Sequence, residues 1–272
     1  AWRQDHVERP HRLVAAERLG QRLQVPGDAL FGRPLGLPLG VLGVAGEHPI
    51  ETSGGLTMYR LHGFFTQNSM KTLYVLEELG VDYEFVYVDL ARGDNRTDRF
   101  RNMTPVGKVP VLEHNGEFLF ESGAICRYVA GVEHSPLYPA DKLQRARVDQ
   151  WMTFFTCHPG RWLTKLFFEK VVKPVAGMGE PDAAACEEAV RFAGEQLKMV
   201  DDWLDGREWL ANDAFSIAEP FALAYVEQAR AVDFPLEGYP QLRTWLERLD
   251  GRNSTIRARA LVKPHMDAML SR

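Results

Sequence analysis

The chain has 272 residues, 45% of them apolar, and a formal net charge of −5. That length can bury a sizeable core and ordinarily holds one or two domains. The mild acidity argues against nucleic acid, whose phosphates need a concentrated basic face, and no apolar run reaches the length of a membrane-spanning helix.

Residues 1–57 contain no Lys and no Met, and residues 26–46 are crowded with Gly, Pro and Leu. Gly and Pro at that density break both helical and strand periods. Residues 5–24 have the spacing of a short amphipathic helix, and nothing in the sequence says what it would pack on. The apolar part starts too far in for a secretory signal. The expectation is an extension outside the fold, with Met58, the first methionine, opening the first patterned segment and marking a candidate start.

From Met58 the pattern alternates as a strand through Phe64. Ser69–Leu79 carries Leu73, Leu76 and Leu79 on one helical face, and Gly80 stops it. Asp82–Asp89 alternates again, and Arg92–Asn102 reads as a short, loosely helical connection. Val109–His114 and Glu117–Phe120 flank Asn115-Gly116, a strong hairpin turn. Ser122–Ala130 closes the unit as a helix. Strand, helix, strand, helix, hairpin, helix predicts an α/β layer over 58–132. Residues 133–140 are a Pro-punctuated linker, and 141–272 read as an all-helical domain, with helical spacing at Trp151, Phe154 and Phe155 and over 183–204 and 217–231. Within it, Ser216-Ile217-Ala218-Glu219 reads as a capping box, the Ser216 hydroxyl taking the Glu219 N–H and the Glu219 carboxylate returning to Ser216.

The functional signal lies in residues 105–122. Val109-Pro110 opens a strand, where proline cannot donate to the ladder. A cis bond there leaves the Val109 main chain free to pair with an extended peptide. Glu121-Ser122 stands where a strand stops and a helix starts, so a carboxylate, a hydroxyl and free helix N–H groups meet an incoming charged group. Such a main-chain clamp beside a site for an amino acid's two charges suits a small peptide.

These features together resemble the cytosolic glutathione transferases. The resemblance spans residue 58 to about 265, and its strongest pieces are Asn102-Met-Thr-Pro-Val-Gly-Lys-Val-Pro-Val-Leu, Phe120-Glu-Ser-Gly-Ala-Ile and Ser216-Ile-Ala-Glu. Pro220 departs from the usual apolar residue after the box. The resemblance implies a thioredoxin-like N-terminal domain, an all-α C-terminal domain, glutathione as co-substrate and a homodimer. It places the residue facing the glutathione sulfur in the loop Phe65–Lys71. There Thr66 and Asn68 are the candidate donors, with Ser69 in reserve, and this Thr-x-Asn pair is similar to the bacterial nu- and theta-like proteins. The same three residue types are also common helix caps. It places the γ-glutamyl end on Glu121 and Ser122, the cysteinyl main chain on Val109 beside Pro110, and the glycine carboxylate near Lys108 and Asn95, with Arg96 competing for the last role.

Other residues read as structural. His62 and His114 are expected to pack, and His158-Pro159-Gly160 to break the helix containing Trp151, as a kink rather than as a lining of the second-substrate pocket. Trp151, Phe154, Phe155, Trp162 and Phe167 are expected mostly in the core, with one or two facing a second-substrate pocket between the domains. Cys126, Cys157 and Cys186 are widely spaced, with no CxxC and no metal-type cluster, so no metal is expected and each is expected as a small buried residue of a reduced, cytoplasmic protein. The leading function is attack of the activated sulfur on a small hydrophobic electrophile. The alternatives are glutathione-dependent reduction of disulfides or peroxides, and a non-catalytic interaction module.

Overall fold

Strand β1 (Tyr59–Gly63) sits inside a four-stranded mixed sheet of order β2-β1-β3-β4. The computed structural model describes residues 59–270, so the expected extension over 1–57 lies outside the described residues. β1 runs parallel to β2 (Tyr83–Tyr87) and antiparallel to β3 (Val111–His114), which pairs antiparallel with β4 (Glu117–Phe120). The hairpin turns where expected: Asn115 and Gly116 both take positive φ, 55° and 80°, the conformation that Asn-Gly adopts at low cost. β3 begins two residues later than expected, because Val109 and Pro110 form the corner that precedes the ladder, and the Val109–Pro110 peptide is cis.

Helix α1 (Gln67–Leu79) follows β1, two residues earlier than the apolar spacing suggested. Thr66 is its N-cap, and Gly80 ends it in the left-handed region at φ 66°, donating back to the Leu76 carbonyl. α1 and α3 (Ser122–Val132) cover one face of the sheet, where Leu61, Leu73, Leu76, Leu112, Ile125 and Val129 are buried together. The other face is covered by the short helix α2 (Asp98–Arg101), with Phe100 packed near Val88, Val109 and Val111. A sheet of this topology between helices is thioredoxin-like.

The helical layer comprises α4 (Lys142–Cys157), α5 (Pro159–Phe167), α6 (Ala183–Trp203), α7 (Ala218–Ala231), α8 (Pro240–Asp250) and α9 (Asn253–Leu270). α7 is buried almost all round, which is why it carries Ala, Leu and Phe on every side. It also meets α1: the Tyr74 hydroxyl donates to Glu227 at 2.8 Å, and Arg259 of α9 joins Glu227 to Asp250. Arg252 grips Glu78 through two bonds of 2.5 and 2.7 Å. The two layers are therefore fastened along α1. Among the described residues, no helix is long and apolar enough to cross a membrane.

Two expectations need correction. The capping box does not form. α7 starts at Ala218, and the Ser216 hydroxyl accepts from the Ala218 N–H at 3.3 Å. Glu219 turns inward, its oxygens accepting from the Leu210 N–H at 2.9 Å and the Trp245 indole N–H at 2.7 Å. The inward position wins because those loop and indole donors have no water to turn to, while the first-turn N–H groups can be left to neighbours. Second, only Cys126 is buried. Cys157 closes the outward side of α4 and is exposed, and Cys186 is half-buried. His158-Pro159-Gly160 breaks the helix as expected, and fully: α4 ends at Cys157, and α5 starts at Pro159, which needs no N–H there. His62 and His114 pack as expected, against Glu113 and between Tyr59 and Tyr128.

Candidate functional site

The sheet brings three loops to one edge. His62 pairs with Val111 and Val111 with Phe120, so the end of β1, the start of β3 and the end of β4 lie side by side. From that edge emerge the Phe64–Thr66 turn into α1, the Val109–Pro110 corner, and Glu121-Ser122 entering α3. No described group takes up the Val109 N–H or carbonyl, which leaves its main chain open for an extended peptide. Glu121 holds φ at 68°, a left-handed conformation costly for a residue with a Cβ, and so directs its side chain away from both strand and helix. Its carboxylate has no partner among the described residues.

Beside this edge is a cavity of about 340 Å³ between the two layers. α1 lines it with Asn68 and Lys71, and the mouth of α3 with Glu121, Ser122 and Arg127. α4 contributes Thr153 and Thr156, and α7 contributes Phe221 and Tyr225. Of the residues expected from the sequence, Asn68, Glu121 and Ser122 meet here. Of the five aromatics expected mostly in the core, Trp151 and Phe155 are buried there and Trp162 stacks on Phe192; none of the five lines this cavity.

The sulfur-loop candidates differ in what already engages them. The Ser69 hydroxyl is fully buried and accepts from the Phe64 N–H at 3.2 Å, bracing the turn. Asn68 turns its carbonyl oxygen to Lys71, 2.7 Å away. Thr66 makes no side-chain cap bond, and its Oγ1 is buried without a partner. No described residue supplies a partner for this N-cap hydroxyl. On the other flank, Asn95 donates to the Gly107 carbonyl at 2.9 Å and so ties its turn to the loop bearing Lys108. Lys108 and Arg96 are exposed.

Lys71 was not legible as a site residue. It is 1% exposed, with its ammonium 3.7 Å from the centre of the Tyr225 ring and 5.1 Å from that of Phe221. Burial pulls its pKa down to about 7, against the opposing pull of Cys126 and Glu121. The Asn68–Lys71 spacing, one helical turn, is the sole trace of it in the sequence. Arg127 is tied down by Asp149 and by the Gly123 carbonyl, 3.0 Å from Nη1. Burial pushes Cys126 up to about 12, which makes it a poor nucleophile. No cluster among the described residues has the make-up to hold a metal ion.

Residues 56–131 match the N-terminal domain of glutathione S-transferases and residues 162–253 match their C-terminal domain. Glutathione S-transferase hmp2 of Hypomyces subiculosus is 30% identical over 71% of this chain and 94% of its own length. Glutathione S-transferase F14 of Arabidopsis thaliana is 28% identical over 78% and 87%. A solved glutathione S-transferase-I bound with lactoylglutathione superposes with a TM-score of 0.69 at 26% identity, over 75% of this chain and 99% of that one. The chain belongs to the glutathione S-transferase family.

Proposed function

We propose that this protein is a glutathione transferase that binds glutathione along the sheet edge and joins its sulfur to a small hydrophobic electrophile. The observation that carries the reading is the meeting, on one edge, of an open Val109 main chain, an unpaired Glu121 carboxylate at the mouth of α3, and an unpaired Thr66 hydroxyl. Val109 pairs with the cysteinyl main chain beside Pro110. Glu121 and Ser122 take the γ-glutamyl end. Lys108 reaches the glycine carboxylate as a point charge, from a loop held by Asn95.

A free thiol has a pKa of about 8.5, so little of it is thiolate at neutral pH. A hydrogen bond from Thr66 at the positive end of α1 favours the anion over the thiol. The thiol proton leaves to water, the sulfur forms a bond to the electrophilic carbon, and the leaving group departs with its electron pair. Asn68 offers its amide N–H groups as a second donor while its oxygen holds Lys71. Ser69, turned to the Phe64 N–H, supports the loop.

The Thr66-Gln67-Asn68 loop is what favours a nu- or theta-like subclass; the relatives named above are fungal and plant proteins, so this finer reading rests on the loop alone. A homodimer and a cytoplasmic location are further parts of the proposal, carried by family resemblance. The decisive assay compares an aryl halide with a mixed disulfide, each with glutathione. Thioether formation supports transfer, and disulfide turnover without thioether would move the assignment to a reductase. Absence of glutathione binding would indicate a non-catalytic module.

A further inference from the structure

Lys71 is a buried ammonium with too few partners. Of its N–H bonds, one meets an acceptor, Asn68 Oδ1 at 2.7 Å, and the Tyr225 ring covers it from the α7 side. A charge taken out of water is costly unless an opposite charge joins it. The cavity's other cation, Arg127, already has Asp149 and the Gly123 carbonyl. The cavity's carboxylate, Glu121, is exposed at the mouth and acts on Lys71 through space, with no hydrogen bond between them. The cavity thus offers one buried cation short of partners and, at its mouth, one exposed carboxylate just before α3, with the first N–H groups of that helix beside it. A simple anion would satisfy Lys71 but sit against Glu121. A group carrying both charges satisfies both.

Resting on the glutathione reading above, we propose that Lys71 is a positioning residue that receives the α-carboxylate of the γ-glutamyl group, holding that zwitterion between itself and Glu121. The aromatic faces of Tyr225 and Phe221 keep the ammonium directed into the cavity and its carbon stem dry. The charged and titratable groups around it are Glu121, Cys126 and Arg127 from α3 and Tyr225 from α7; at the cavity α4 presents the hydroxyls of Thr153 and Thr156. In the free protein burial leaves this amine half-protonated near neutrality, and the arriving carboxylate restores the proton. Affinity is therefore greatest below pH 7 and falls as pH rises, by up to about tenfold per pH unit.

The test is calorimetry with S-hexylglutathione, which has no thiol to ionise, and with its analogue in which 4-aminobutyrate replaces γ-glutamate, removing only the α-carboxylate. The wild type is expected to bind the parent about 10- to 100-fold more tightly at about pH 6, with the preference shrinking by about pH 8.5. Lys71→Met is expected to lose the preference and the pH slope while binding the analogue as well as the wild type does, which also shows that it folds. Should that variant fail to fold, the wild-type pH series on the two ligands decides. A preference that persists in Lys71→Met, or that is flat with pH in the wild type, overturns the role of Lys71. Failure of the wild type to bind either ligand overturns this proposal and the glutathione reading together.

Discussion

The Lys71 ammonium lies 3.7 Å from the centre of the Tyr225 ring, across the seam where α1 of the sheet layer meets α7 of the helical layer. Neither layer builds the cavity alone: α1 and α3 bring the charges, and α7 brings the aromatic wall that covers Lys71. The Tyr74–Glu227–Arg259 network and the Glu78–Arg252 pair along the same helix hold that seam closed.

Gly160 sets the position of that wall. A Cβ there would lie 2.3 Å from the Phe155 carbonyl oxygen and 2.5 Å from the Tyr225 ring, and the carbonyl cannot move without opening the α4–α5 break. Gly160→Ala should destabilise the fold by about 1–3 kcal/mol and weaken glutathione binding by displacing Tyr225. Thermal unfolding checks the first effect and calorimetry the second; unchanged values in both would show that the break has slack.

Thr66 should govern the acidity of bound glutathione. Thr66→Ala is expected to raise the bound thiol's pKa by about one unit or more, lowering aryl-halide turnover about tenfold or more at neutral pH, and Thr66→Ser should restore it. The pH–rate profile reads this directly, since the acidic limb must move upward in the alanine variant. An unmoved profile would remove Thr66 from the chemistry.

Glu121 makes no hydrogen bond to a described side chain and acts on Lys71 only through space. Glu121→Gln should raise the KM for glutathione about 10- to 100-fold while leaving thermal stability nearly unchanged, because the native carboxylate makes no bond to lose. A stability loss without a change in KM would make it a structural residue of the α3 mouth instead.

Glu219 should make stability depend on pH. Burial pushes its carboxyl up to about 8 from the ordinary 4.5, although the Trp245, Leu210 and Ala211 N–H groups pull the other way. Between those values the native protein keeps a proton that the unfolded chain has released. Its contribution to stability therefore falls as pH rises from 4.5 towards 8 and levels off above. Glu219→Gln, whose amide has one acceptor for these donors, should cost about 1–3 kcal/mol. The wild type's advantage over it should shrink between about pH 5.5 and about pH 7.5 in urea titrations. An advantage that grows with pH would mean the carboxylate is ionised in the native core.

What was legible in the sequence was local. Asn115-Gly116 fixes its turn through positive φ, Gly80 ends α1, and Pro110 and Glu121-Ser122 mark the sheet edge because each obeys a rule spanning a few residues. What was missed depends on partners far along the chain. Lys71 reads as an ordinary helical lysine until Tyr225 covers it. Glu219 reads as half of a capping box until Trp245 and the Leu210 loop claim its oxygens. Cys157 reads as buried because most cysteines are, yet it lies with Thr153 and Thr156 on the exposed side of α4.

A crystal structure of the protein with glutathione is the most direct test. The expected complex has the sulfur within hydrogen-bond reach of Thr66 Oγ1, the cysteinyl main chain paired with Val109, and the γ-glutamyl end against Glu121 and Ser122. A tripeptide bound with its sulfur away from Thr66, or with its γ-glutamyl end outside the α3 mouth, would contradict the proposed site.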